Sequence, residues 1–175
     1  MPEVSRNAAI LIAISWQALG RATRGTKATR IADCSVLIFF ACIYIEANLD
    51  YIVAKMNKLQ QMTRFLNNKP YPGIQDKLGW FYNEHIAKSK AANKKQLYDN
   101  GIKRKLRRRF PGFAKLYRFR NDLSHGVINS SAESLTEARE HRKQAKTIVA
   151  NLFVIARGAG HSIPRVTTYQ EAIAS

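Results

Sequence analysis

Apolar residues recur at helical spacing along most of the chain, and no stretch alternates apolar and polar residues as a half-buried strand does. The pattern predicts five helices, at about residues 5–19, 29–67, 74–87, 113–126 and 134–157. The fold class that follows is all-α, with residues 1–175 forming a single helical domain. We expect its core at residues 31–157, an appended N-terminal helix at 5–19 and a tail at 158–175.

The longest predicted helix is apolar nearly all round between residues 36 and 54, which indicates a central position in the bundle. Glu46 and Asp50 are the only acids in that part, and their spacing of four places them on one face. Two carboxylates on a core-facing stripe need a cation as partner. Arg120 is a candidate for this cation, and Glu46 and Asp50 would then support the site to which Arg120 belongs. Alternatively, this face borders solvent and both carboxylates are exposed.

The predicted helix at 113–126, with the sequence FAKLYRFRNDLSHG, carries residues whose types and spacing suit chemistry. Its apolar residues fall on one arc, and Arg120 falls in the middle of that arc. A buried arginine loses hydration, so an anion or a strong acceptor must meet it. Asn121 and His125 are four residues apart and share the edge of the arc.

The sequence Arg120-Asn121-x-x-x-His125 resembles the R-x4-H motif of the HEPN superfamily, including the glycine that follows the histidine. The order of elements is similar too, because the motif ends an amphipathic helix, a short polar loop follows, and one long helix comes last. The resemblance covers residues 31–157. It implies a HEPN-like helical bundle, metal-independent endoribonuclease activity and a composite active site where two motif helices meet across a homodimer.

The residue types themselves suit cleavage of RNA through its 2′-hydroxyl group. That reaction needs a base, an acid and positive charge on the phosphate. His125 is the candidate base or acid, Arg120 the phosphate clamp, and Asn121 a group that orients the imidazole or binds a phosphate oxygen. One chain offers one histidine in this constellation, so a two-fold axis would supply the second. The sequence has no metal motif and no glycine-rich phosphate loop, so we expect no metal and no cofactor.

Lys and Arg outnumber Asp and Glu by 29 to 12, which gives a net charge of +17 and indicates a polyanionic partner. The basic residues concentrate before the motif helix, in a run that ends KRKLRRR. Such a run is also typical of a solvated face or a localisation signal. Here it leads directly into the motif helix, and RNA is the expected partner. The predicted RNA-binding residues are Lys103, Arg104, Lys105, Arg107, Arg108 and Arg109.

Cys34 and Cys42 are eight residues apart on an apolar helix, too far for a disulfide, as expected for reduced thiols of a cytoplasmic protein. The longest uncharged apolar stretch, at 34–45, is shorter than the ~20 residues that span a bilayer, so no membrane partner is expected. Of the other histidines, His85 is expected to be a partly buried structural residue, and His141 is expected on the solvated side of the last helix.

Two classes of function therefore remain. The first is the HEPN-type endoribonuclease, for which the resemblance implies a toxin or antiviral-defence effector restrained by an antitoxin or another regulatory partner. The second is a non-catalytic basic helical module that binds RNA or DNA and uses the motif only for dimer packing. The RNA target and its base preference are not encoded in any recognisable pattern.

Overall fold

The computed structural model describes residues 2–22, 30–67, 73–87, 108–110, 112–125, 135–166, 168 and 170–171. Within this part of the chain there are six α-helices and no strand, so the all-α prediction is confirmed. The helices are α1 (Pro2–Ala22), α2 (Arg30–Lys55), α3 (Leu59–Leu66), α4 (Ile74–Tyr82), α5 (Phe113–Ser124) and α6 (Leu135–Gly158).

α2 is the centre of the bundle, as its apolar composition predicts. It contacts each of the other five helices, and Leu37, Ile45 and Ile52 have no exposed surface. The segment Val36–Lys55 is long and apolar enough to cross a membrane by length and composition alone, with a mean hydropathy of 1.8. However, 61% of its most apolar window is buried inside the protein, as in the core helix of a soluble protein.

The prediction of one continuous helix from about 29 to 67 is wrong, because α2 ends at Lys55 and α3 begins at Leu59. Asn57 adopts the left-handed conformation with φ 56°, which asparagine tolerates better than most residues. The amide of Lys58 donates to the Val53 carbonyl at 3.0 Å, and that of Asn57 donates to the Ala54 carbonyl at 3.0 Å. These two bonds form a Schellman motif, which caps α2 and redirects the chain.

α1 belongs to the core and is not an appendage, since Ala9, Ile12 and Leu19 are fully buried. The rings of Trp16 and Tyr44 lie 5.2 Å apart, so α1 packs along α2. α1 is also longer than predicted, running from Pro2 to Ala22.

α5 and α6 run antiparallel to each other, and both pack against α2. The rings of Phe119 and His141 meet edge to face at 5.5 Å, while Gln144, further along α6, lies beside Gly112 at the start of α5. Beyond α6, the predicted tail also packs on the bundle, because Val166 is buried and the Arg165 guanidinium lies 5.3 Å from the Phe153 ring centroid.

Candidate functional site

The motif helix α5 begins at Phe113 and ends at Ser124, close to the predicted bounds. Gly112 precedes it with φ 81°, a conformation that favours glycine, and its carbonyl accepts from the amide of Leu116 at 3.0 Å. Phe113, Leu116 and Phe119 are buried at successive intervals of three residues. This apolar ridge anchors α5 on the bundle and determines which of its side chains reach the surface.

Arg120 is exposed, and the prediction that it lies within the buried arc is wrong. The buried ridge rises in steps of three residues, and each step turns back by about 60° around the helix, because three residues turn by about 300°. At Phe119, the side of α5 that contacts the bundle is therefore rotated away from the side that carries Arg120. A guanidinium at this position retains access to solvent and to a ligand.

The three motif residues occupy the C-terminal end of α5. Arg120 Nη1 donates to Asn121 Oδ1 at 3.1 Å, and Ser124 Oγ donates to the Arg120 carbonyl at 2.8 Å. The amide of His125 donates to the Asn121 carbonyl at 3.0 Å, and its side chain is exposed. The motif therefore places a guanidinium, an amide and an imidazole at one accessible helix end.

The cation that meets Glu46 and Asp50 is Lys77, and the expected ion pair with Arg120 is not formed. Lys77 Nζ lies 2.8 Å from Glu46 Oε1 and 2.8 Å from Asp50 Oδ2. The Lys77 side chain is 15% exposed and that of Glu46 is 37% exposed, so the cluster lies where the core meets solvent. The described side chains thus leave Arg120 without a carboxylate partner.

The surroundings of Lys77 determine its charge state within this cluster. Burial opposes the charge of Lys77, but the charges and hydrogen bonds of Asp50 and Glu46 outweigh burial and raise the pKa of Lys77. Burial also raises the pKa of Asp50, and Lys77 opposes that rise. Lys77 therefore stays protonated and neutralises part of the carboxylate charge.

A cleft of about 360 Å³ lies between α1 and α2, next to this cluster. Its lining is mainly apolar and includes both carboxylates: Asn7, Ala8, Leu11, Ile43, Glu46, Ala47 and Asp50. Glu46 and Arg120 both act electrostatically on Cys42 of α2, and α5 packs against α2. The motif helix and the cleft are therefore both built against α2.

Cys42 does not add a nucleophile to this region. Burial raises the pKa of its thiol to about 12, an effect that Arg120 opposes and Glu46 reinforces. A protonated, buried thiol is chemically inert.

The predicted RNA-binding run is only partly visible. Lys103, Arg104, Lys105 and Arg107 lie outside the described residues. Arg108 and Arg109 are described and exposed, and Asn151 Nδ2 on α6 donates to the Arg109 carbonyl at 3.4 Å. Binding of RNA by this run stays a prediction.

The other histidines differ from His125 in their surroundings. His141 is 2% exposed, so its predicted place on the solvated side of the last helix is wrong. Its spacing from Ala145, Ile148 and Leu152, all fully buried, accounts for its burial on the core side of α6. His85 is half-buried, as expected, with its ring 4.7 Å from that of Phe81.

Sequence reasoning missed Lys77. The signal was its position three residues after Ile74 and four before Phe81, which are both buried, since that spacing places Lys77 toward the core side of α4. A lysine at such a position needs an anionic partner, and Glu46 and Asp50 were the candidates available.

The described side chains contain no group of three or more His, Cys, Asp or Glu residues that could hold a metal ion. No known protein family, no curated protein and no solved structure matches the chain. The assignment of a function therefore depends on the motif and on the geometry around it.

Proposed function

We propose that the protein is a metal-independent endoribonuclease with a HEPN-like helical bundle, in which Arg120, Asn121 and His125 carry the chemistry. The observation that supports this most is the division of cations around α2. Lys77 pairs with the carboxylates at the edge of the core, whereas Arg120 is exposed beside Asn121. Arg120 forms no ion pair with a described residue, so its guanidinium is available to bind a phosphate.

The proposed reaction is an attack of the 2′-hydroxyl on the adjacent phosphate. A base removes the 2′-hydroxyl proton, the 2′-oxygen bonds to phosphorus, and the bond to the 5′-oxygen breaks as an acid protonates that oxygen. The products are a 2′,3′-cyclic phosphate and a 5′-hydroxyl. His125 supplies one of the two proton transfers.

Arg120 stabilises the charge that develops on the phosphate. One of its five N–H donors is used by Asn121 Oδ1 at 3.1 Å, which fixes the plane of the guanidinium and leaves the other donors for phosphate oxygens. Asn121 then acts as a positioning residue for Arg120, a role that differs from orienting the imidazole.

The second proton transfer calls for a second histidine. His141 is buried, so His125 of a second copy is the better source, and the active unit is a homodimer with a composite site. The buried face of α5 is not available for this contact, because Leu116 has no exposed surface. Leu11 and Ile14, which are 48% and 45% exposed on α1, offer an apolar surface for this contact, and Leu11 also lines the cleft.

The resemblance to HEPN proteins further suggests a cytoplasmic toxin or antiviral-defence effector that an antitoxin or regulator restrains. The competing function is a non-catalytic module that binds RNA or DNA through its basic surface. Both functions predict RNA binding, so cleavage distinguishes them.

The test is degradation of single-stranded RNA in EDTA by the purified wild-type protein and by His125→Ala and Arg120→Ala. Arg118→Ala is the matched control, because Arg118 is an exposed arginine on the same helix outside the motif. We expect both motif variants to lose activity and the control to keep it. RNA binding without cleavage by the wild type would favour the non-catalytic module.

A further inference from the structure

The solvent-facing side of α6 carries a row of cations. Lys143, Lys146 and Arg157 are all exposed. At about 100° per residue they fall within an arc of about 60° on the helix surface. The row extends over 14 residues, or about 21 Å at 1.5 Å per residue. We refer to these three residues as the α6 basic face.

The α6 basic face has more cations than neighbouring carboxylates, and the nearest acid in the sequence is Glu140, three residues before Lys143. The sequence contains no Asp or Glu between Glu140 and Glu171, and none of the three cations forms an ion pair with a described carboxylate. Elsewhere the cations Lys58, Lys77 and Arg118 each have a carboxylate within 4 Å. Cations gathered without acids repel one another, and a polyanion relieves that repulsion.

The segment before α5 also contacts α6. Asn151, which lies about 80–140° around α6 from the three cations of the α6 basic face, donates from Nδ2 to the Arg109 carbonyl at 3.4 Å. Arg108 and Arg109 are both exposed there. The described end of the basic run therefore lies against α6 and brings two exposed arginines to the helix that carries the α6 basic face.

The contacts between α6 and α5 show how the α6 basic face is oriented with respect to the motif. Gln144 lies beside Gly112 at the start of α5, and His141 lies beside Phe119 near its end. Going along α6 from Arg157 to Lys143 thus approaches the start of α5, and α5 continues in the same direction toward Arg120 and His125. We propose that the α6 basic face binds the phosphate backbone of RNA and leads the strand to the motif, an inference that rests on the proposed function for its substrate.

The experiment measures binding of a short 2′-O-methyl RNA oligonucleotide, which has no free 2′-hydroxyl and cannot be cleaved, as a function of salt. The face variant replaces the three cations by glutamine, and the control variant removes three exposed cations from α1, α2 and α3, so both lose the same net charge. The substitutions are Lys143→Gln, Lys146→Gln and Arg157→Gln for the face, and Arg6→Gln, Lys55→Gln and Arg64→Gln for the control.

We expect the slope of log K against log salt to decrease in magnitude by about 2 for the face variant, at about 0.7 for each lost single-strand contact. The control variant should keep the wild-type slope. Equal slopes for the two variants would overturn the proposal. So would binding of anionic phosphatidylglycerol vesicles, but not of the oligonucleotide, by the wild-type protein.

These outcomes separate the inference from the proposed function, because the oligonucleotide tests binding alone. If the wild type cleaves ordinary RNA but the face variant keeps its salt slope, only the α6 basic face is refuted. If the face variant loses slope while ordinary RNA stays intact with the wild type, the face stands and the endoribonuclease is refuted.

Discussion

Lys77 Nζ lies 2.8 Å from Asp50 Oδ2, joining α4 to α2 across 27 residues of sequence. The same ammonium group lies 2.8 Å from Glu46. Lys77 thus supplies the structural cation that the carboxylates need, and Arg120 remains exposed at the end of α5. Lys77 therefore contributes to stability, whereas Arg120 is available to a ligand.

Lys77→Met should destabilise the fold by about 1–3 kcal/mol, below the 3–5 kcal/mol typical of a fully buried pair, because the cluster retains contact with solvent. Lys58→Met is the matched control: Lys58 pairs with Glu84 at 3.4 Å in a more exposed setting and should cost less than about 1 kcal/mol. Denaturant unfolding measures both.

The cost of Lys77→Met should also shrink as pH falls. Burial raises the pKa of Asp50, so the native state of the variant takes up a proton before the unfolded chain does, and protonation removes the unpaired charge. A loss of stability that is the same at neutral and acidic pH would contradict a role for Lys77 in neutralising Asp50.

Alanine substitutions at three glycines can separate the cost of backbone strain from the cost of steric overlap with a neighbouring side chain. Gly112→Ala would bring a Cβ atom within 2.4 Å of Gln144 Cδ at φ 81°, whereas at Gly160 the φ is 87° but no atom lies within 4 Å of the added Cβ. Gly160→Ala should cost about 1–2 kcal/mol from the left-handed conformation alone, and Gly112→Ala should cost more. Gly158→Ala, at the end of α6, has no nearby atom and should not destabilise.

Adding Gln144→Ala to Gly112→Ala should recover the excess cost and bring the double variant close to Gly160→Ala. Thermal or denaturant unfolding of the four variants checks the series. Equal costs for Gly112→Ala and Gly160→Ala would mean that Gln144 moves aside freely.

Periodicity predicted the helical class and the bounds of α5, because burial of an apolar stripe is a local property of the sequence. It did not predict the break at Asn57, since no proline or glycine marks it and the left-handed residue is an asparagine. Periodicity also did not identify Lys77 as the partner of Glu46 and Asp50, because an ion pair between helices that are distant in sequence depends on how those helices cross. Arg120 was misplaced for the same reason: the helical wheel gives an arc, but the crossing decides which part of the arc is covered.

His85 should make stability depend on pH. Burial lowers its pKa, an effect that Glu84 opposes and that Lys58 and His161 reinforce, so the unfolded chain binds the proton more tightly than the folded protein does. The free energy of unfolding should therefore decrease as pH falls below the ordinary value of 6.5 toward the lower folded pKa. His85→Gln should flatten this decrease, as measured by unfolding at several pH values. An unchanged slope in the variant would refute the role of His85.

Dimer formation should depend on the exposed apolar surface of α1. Leu11→Glu should give a monomer that keeps its helical content and loses RNA cleavage, because the side chain is 48% exposed and its burial in the fold is not required. Sedimentation and circular dichroism measure these two properties, and wild-type activity per chain should fall on dilution through the dimer dissociation constant. Gln60→Glu, which adds the same charge at an exposed position on α3, is the control.

Leu116→Glu cannot serve this purpose, because Leu116 is fully buried and the charge would unfold the bundle. A Leu11→Glu protein that is monomeric yet fully active would exclude a composite site. His85 and His161, which are both half-buried, would then be the remaining candidates for the second proton transfer.

The most direct measurement is the chemical nature of the RNA ends produced in EDTA by the wild type and by His125→Ala. Cleavage through the 2′-hydroxyl predicts 2′,3′-cyclic phosphate ends from the wild type, none from the variant, and no cleavage of a strand that carries 2′-deoxyribose at the susceptible position. Cyclic phosphate ends from a His125→Ala protein shown to be free of contaminating nuclease, or 3′-hydroxyl ends from the wild type, would contradict the assignment of His125 and the proposed reaction.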